Sequence, residues 1–172
     1  MKVVLLGYMA SGKSAVGKLL AKELNMQFID LDEFIEKKEE LTISEIFKTK
    51  GEIYFRIKEG EFLKELLNLN ENISISLGGG TPCYGNNIEI IEKHAISFYL
   101  NASINTIYER LIGETSKRPL VATLGENNLK EFIAKHLFER NPFYERANFT
   151  ISVNDKSISE VAKTIQELLI IQ

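Results

Sequence analysis

Short apolar runs alternate with stretches of helical period along the whole chain. Val3-Val4-Leu5-Leu6 is a continuous aliphatic run, as in a strand covered on both faces. After Lys13 the period changes, and Val16, Leu19, Leu20 and Leu24 recur at helical spacing. Phe28-Ile29 predicts a second strand ending at Asp30. Residues 33–48 read as short helices broken near Leu41-Thr42, where Thr42 and Glu45 have the spacing of a capping box. From Glu52 to about Leu69 one helix face collects Phe62, Leu63, Leu66 and Leu67. Ile73, Ile75 and Leu77 alternate with serines as a third strand, Asn87 to His94 reads as a helix, and Ile96 to Leu100 as a fourth strand. Ser103 is placed to cap a helix carrying Ile104, Ile107 and Leu111. Residues 113–125 lack clear periodicity, and a helix then runs to about Tyr144. Phe149, Ile151 and Val153 alternate as a fifth strand, and Ile158, Val161, Ile165 and Leu168 mark a closing amphipathic helix.

Strands that alternate with helices build parallel βαβ units. The expected architecture is a three-layer αβα fold, one domain over 1–172, with a five-stranded parallel sheet between helices. Two segments stand outside the alternation: a helical insert at about 33–60 and an aperiodic loop at 113–125, the size of a lid over a site.

Composition narrows the class. The chain has 172 residues, 44% of them hydrophobic, enough for one core. A net charge of −3 gives no reason to expect a nucleic-acid surface. The only cysteine, Cys83, allows no internal disulfide and suits a reducing compartment. No apolar stretch reaches the ~18 residues of a membrane span. The expectation is a cytoplasmic monomer acting on small molecules, with neither membrane nor nucleic acid as partner.

Candidate chemistry begins at Gly7-Tyr8-Met9-Ala10-Ser11-Gly12-Lys13-Ser14, which fits G-x-x-x-x-G-K-S between a strand and an amphipathic helix. Gly7 and Gly12 permit backbone angles that bring amides to an anion, and a helix N-terminus favours negative charge. The amides of Ala10, Ser11, Gly12, Lys13 and Ser14, running into Ala15, would cradle phosphates. Lys13 would reach the β- and γ-phosphates and Ser14 would offer its hydroxyl to Mg²⁺. The pattern implies a nucleoside triphosphate held together with Mg²⁺.

The second strand ends in Asp30-Leu31-Asp32. In extended chain, residues two apart face the same side, so both carboxylates would face one site, one serving the metal and one an acceptor hydroxyl. The plainer alternative is that Asp32 caps a helix beginning at Glu33. Gly78-Gly79-Gly80, after the third strand, makes sense where backbone passes close to a ligand or donates to it.

Taken together these residues resemble the shikimate kinases, among the nucleoside-monophosphate-kinase-like P-loop proteins. The matching pieces are the glycine loop, Asp30-Leu31-Asp32, Phe55-Arg56-Ile57-Lys58-Glu59, Gly78-Gly79-Gly80, Arg118-Pro119-Leu120 and Arg140-Asn141-Pro142-Phe143-Tyr144. The resemblance implies phosphoryl transfer from ATP to the 3-hydroxyl of shikimate. It implies that Asp32 orients the acceptor hydroxyl, that Asp30 lies near the water shell of Mg²⁺, and that Arg56 and Arg140 bind the carboxylate. Gly78, Gly79 and Gly80 would contribute backbone to the same ligand, and Glu59 would orient Arg56. Phe47, Phe55, Pro119 and Leu120 would form apolar walls. Arg118 would descend with the 113–125 lid onto the phosphates, and Arg110 would lie along the adenine. Lys38, Lys50 and His136 are selected by no motif and read as surface.

The chain departs from the family pattern after the glycine triplet. Thr81-Pro82-Cys83-Tyr84 stands where a simpler small-residue start to the next helix is expected. A gluconate kinase, a nucleoside-monophosphate kinase and a small GTPase are the alternatives. The last needs an N-K-x-D string, and Asn154-Asp155-Lys156-Ser157 has the wrong order.

Overall fold

A parallel sheet of five strands in the order β2-β3-β1-β4-β5 forms the middle of the computed structural model. Its strands are β1 (Lys2–Leu6), β2 (Gln27–Asp30), β3 (Ile73–Ser76), β4 (Ile96–Asn101) and β5 (Phe149–Ser152). The structure describes residues 1–113 and 119–171, with backbone only over 119–127. The helices are α1 (Lys13–Glu23), α2 (Leu31–Glu39), α3 (Ile43–Thr49), α4 (Glu52–Leu67), α5 (Asn87–His94), α6 (Ile104–Gly113), α7 (Pro119–Tyr144) and α8 (Ile158–Ile170).

The aliphatic run of β1 is fully buried, as a central strand flanked by β3 and β4 requires. Alternation in β3 would ordinarily mark one wet face. Here Ser74 and Ser76 are as buried as Ile73 and Ile75, because helices cover both sides. Small side chains let the layers close up, and the same economy recurs at Gly17. A Cβ there would lie 2.6 Å from the Phe28 ring, so α1 rides directly on β2.

Strand order reverses direction around β1, with β3 and β2 to one side and β4 and β5 to the other. Ligands of open α/β sheets bind at the carboxyl ends beside such a switch point. The glycine loop leaves β1 there, and Asp30 and Gly78 leave β2 and β3 on the same side.

Two local expectations change. Helix α2 starts at Leu31, and its cap is Asp30, whose carboxylate accepts from the amides of Asp32 and Glu33. The Asp32 side chain is therefore not the cap. Helix α7 begins at Pro119, so residues 119–125 are helical and not an open loop. Proline suits the first turn of a helix, where its missing N–H costs nothing, and this outweighs the weak apolar period. Among the described residues no helix is long and apolar enough to cross a membrane.

Candidate active site

The loop between β1 and α1 curls around an anion-sized space. Gly7 has φ +145° and a Cβ there would strike the Leu100 carbonyl at 2.7 Å, while Gly12 has φ +96°. Only glycine meets both demands without strain. Ala10 is also left-handed, at φ +60°, which no sequence signal announces. Its carbonyl accepts from Arg110 Nη1 at 2.9 Å, so a guanidinium from α6 steadies the turn. Arg110 Nη2 also donates to the Val153 carbonyl. Arg110 thus stands beside the cradle, tied to its backbone.

Lys13 is nearly buried and donates to the carbonyls of Gly7 and Tyr8, both at 2.9 Å. These contacts fold the ammonium back over the loop. The Ser14 hydroxyl donates to Asp30 Oδ2 at 2.6 Å and lies 3.2 Å from the Ser76 hydroxyl. Ser14 oxygen therefore keeps lone pairs for a cation, with a carboxylate directly behind it. Such hard oxygen donors fit Mg²⁺. Ser76 was not legible as a site residue, since a serine inside a strand carries no signal.

A cleft of about 530 Å³ opens along the loop, and Ala10, Ser11, Gly12, Lys13, Ser14 and Ala15 line its cradle end. Asp30, Asp32, Gly78, Gly79 and Arg110 line it as well. Lys156, just ahead of α8, and Ile158, its first residue, complete the wall; neither belongs to a motif. Asp30 and Asp32 share the cleft, though not through extended geometry. Asp32 is in the first turn of α2, and the helix start rather than the strand pleat aims it inward.

The triple glycine is the floor where the distant groups meet. A Cβ on Gly78 would lie 3.0 Å from Asp32 Oδ1 and 3.3 Å from Glu59 Oε1. One on Gly79 would lie 3.3 Å from Arg140 Nη1, and one on Gly80 would lie 2.9 Å from Arg56 Nη2. Two carboxylates and two guanidiniums, from α2, α4 and α7, thus press on three consecutive residues. Glu59 is 1% exposed and accepts from Arg56 Nη1 at 2.8 Å and from the Thr81 hydroxyl at 2.6 Å. This pairing holds Arg56 at one point of its inner edge, through Nη1. Burial first, and then the charges of Asp30 and Glu59, push the Asp32 carboxyl up to about 6.

Arg140 lies over the Tyr8 ring at 5.5 Å. The Tyr144 hydroxyl donates to the Gly79 carbonyl and ties α7 to the floor. His136 is not a surface residue: it is half-buried, its Nδ1 lies 3.1 Å from the Tyr8 hydroxyl, and its ring packs on Phe132. Burial, then the Arg140 charge, lower its pKa. Its signal was spacing alone, one turn before Arg140 on the same helix. Lys38 and Lys50 do lie at the surface, in ion pairs with Glu65 and Glu39. Phe55 is buried and its ring packs against the partly exposed Phe47, with centroids 4.8 Å apart. Burial pushes the Cys83 thiol up to about 11, so it is a protonated, unreactive group. Arg118 and the side chains of Pro119 and Leu120 lie outside the described residues.

A phosphate loop at the switch point of a five-stranded parallel sheet, opening toward an acid-and-guanidinium pocket, defines a P-loop phosphotransferase for a small anionic acceptor. The shikimate kinase family profile matches residues 9–170. A shikimate kinase of Flavobacterium johnsoniae is 49% identical over 169 residues, covering 98% of each chain. A crystal structure of shikimate kinase from Bacteroides thetaiotaomicron superposes with a TM-score of 0.92 at 35% identity, covering 98% of both chains. Shikimate kinase from Acinetobacter baumannii in complex with shikimate gives 0.87 at 32% identity, covering 98% of this chain and 92% of that one. The chain belongs to the shikimate kinase family.

Proposed function

We propose that the protein transfers the γ-phosphoryl group of ATP to the 3-hydroxyl of shikimate, giving shikimate 3-phosphate and ADP. The observation that carries this reading is the meeting of Asp32, Glu59, Arg56 and Arg140 on the glycine floor beside the Lys13 cradle. Shikimate is a small carboxylic acid with three hydroxyls, so it needs paired guanidiniums at one end and an acceptor at the other. Arginine's planar fork matches a carboxylate in a way lysine does not. A relative of the same family has been seen with shikimate bound.

Phosphoryl transfer needs alignment and positive charge more than covalent help. In this reading Arg56 and Arg140 hold the carboxylate, and Asp32 accepts a hydrogen bond from the attacked hydroxyl and takes its proton late. Gly79 and Gly80 lie along the ring of the acid. Lys13 exchanges its two loop carbonyls for phosphate oxygens. Ser14 and, through water, Asp30 would hold Mg²⁺, which when bound neutralises charge on the phosphates. Helices α2–α4 form the acceptor-side insert of one domain, and the 113–125 segment with Arg118 closes over the phosphates and excludes water. The protein is then a cytoplasmic monomer with two small-molecule substrates.

The test is ADP release with ATP·Mg²⁺ and, in parallel, shikimate, gluconate and a panel of nucleoside monophosphates. Turnover with shikimate far above the others is expected, and preference for any other acceptor overturns the reading. Arg140→Ala is expected to raise KM for the acid about ten- to a hundredfold, the cost of losing one charge-assisted contact. KM for ATP should stay within about twofold, because Arg140 stands on the acid side. An unchanged KM for the acid would remove Arg140 from the carboxylate site.

A further inference from the structure

The segment Thr81-Pro82-Cys83-Tyr84, which departs from the family pattern, folds as one 3₁₀ turn over Thr81–Cys83 followed by an extended Tyr84. The turn begins directly at the glycine floor and is held in place by buried bonds. Thr81 donates its hydroxyl to Glu59, and the Thr81 carbonyl accepts from Asn87 Nδ2 at 2.9 Å. Pro82 stiffens its first residues. The turn delivers the Tyr84 ring onto Arg56, whose guanidinium carbon lies 4.0 Å from the ring centroid. The Phe55 ring stands 5.0 Å from the same carbon.

Glu59 alone does not fix Arg56. It holds Nη1 at one point, and a guanidinium held at one point can still pivot. Arg56 also borders an outer groove of about 660 Å³, shared with Ile53, Ile57 and Tyr84, which gives it room to turn from the floor. The Glu52 carboxylate is 3.7 Å from Arg56 Nε and largely exposed, so it restrains little. Arg56 Nε is buried and makes no hydrogen bond among the described residues. Of the contacts on the groove side, the Tyr84 ring is the close one, and its face attracts the cation. The Tyr84 hydroxyl donates to Glu52 Oε1 at 3.2 Å, which sets the ring's outer edge. Tyr84 itself is 39% exposed, too open to act as a core residue.

We infer that Tyr84 is a positioning residue that clamps Arg56 against the glycine floor and so sets the affinity for the acceptor's carboxylate. This inference rests on the proposed function, because it takes the acid to sit on Arg56.

The test compares Tyr84→Leu and Tyr84→Phe in steady-state turnover of shikimate and ATP·Mg²⁺. Tyr84→Leu removes the π-face and is expected to raise KM for shikimate about three- to tenfold. Its kcat, KM for ATP and melting temperature should stay close to wild type. Tyr84→Phe keeps the face and should restore KM to within about twofold of wild type. In an Arg56→Ala background, Tyr84→Leu should add nearly nothing, since it acts through Arg56. An unchanged KM in Tyr84→Leu, an equal rise in both KM values, or full additivity with Arg56→Ala overturns the clamp while leaving the function standing. A wild type inactive on shikimate overturns both.

Discussion

Asp32→Asn is expected to lower kcat by about a hundred- to ten-thousandfold, the usual range for a general base, while KM for ATP holds. The reason is position and proton affinity together. Asp32 lines the cleft beside the glycine floor, and burial with Asp30 and Glu59 nearby holds its carboxyl near 6. A base with that pKa is ionised at neutral pH yet still takes a proton readily. In the wild type, kcat/KM should therefore fall as pH drops through about 6, and the asparagine variant should lack that inflection. The same shift has a stability consequence. The folded pKa is above the ordinary 3.8, so the folded chain binds this proton more tightly than the unfolded one. The resulting stabilisation is complete below about pH 4 and is lost as pH rises through about 6. At pH 7 the buried carboxylate is a net cost, which the neutral amide removes. Asp32→Asn should melt a few degrees above wild type at pH 7, with the gap closing toward pH 4. A variant with normal kcat, or one that melts lower at pH 7, would contradict this account.

Lys13→Ala is expected to cut turnover at least about a thousandfold, on the scale seen when a charge-stabilising donor is removed from a transferring phosphoryl group. Lys13 is the positive side chain at the heart of the cradle, and its ammonium is carried by two loop carbonyls at 2.9 Å. Removal leaves those carbonyls without that donor, so part of any loss could come from a disturbed loop. Lys13→Met lacks the same donor but keeps the apolar stem, and reading its fold directly separates the two causes. It should hold the far-ultraviolet circular dichroism and melting profile of wild type while remaining inactive in single-turnover ADP release. Retention of more than about a tenth of the wild-type rate by Lys13→Met would remove the lysine from the chemistry.

The sheet and its helices were legible because each rests on periodicity. The run Val3-Val4-Leu5-Leu6 could hardly be anything but a covered strand, and it is fully buried. The capping box at Thr42 and Glu45 is present in both directions. Segments whose shape depends on tertiary context were less legible. The stretch 119–125 has no apolar stripe, yet it is the start of a 26-residue helix. Arg56, Arg118 and Arg140 came from the family motif, not from physics visible in one sequence. Arg56 sits among Lys58, Glu59 and Glu61 and looks like a solvated face until the buried Glu59 carboxylate turns it inward. The two aspartates share the cleft for a reason the strand period did not give, since α2 begins between them. Tyr8 and Tyr84 were silent because each packs on a guanidinium distant in the chain, and His136 because its partner is the distant Tyr8 hydroxyl, relations no local pattern encodes.

The main-chain floor at residues 78–80 also limits how this pocket can change over generations. Added atoms at any of the three positions would lie within 3.3 Å of a side chain already committed there. Altered acceptor preference must then arise from the surrounding walls, on α2, α4, α7 and the 3₁₀ turn, while the base of the pocket is inherited intact.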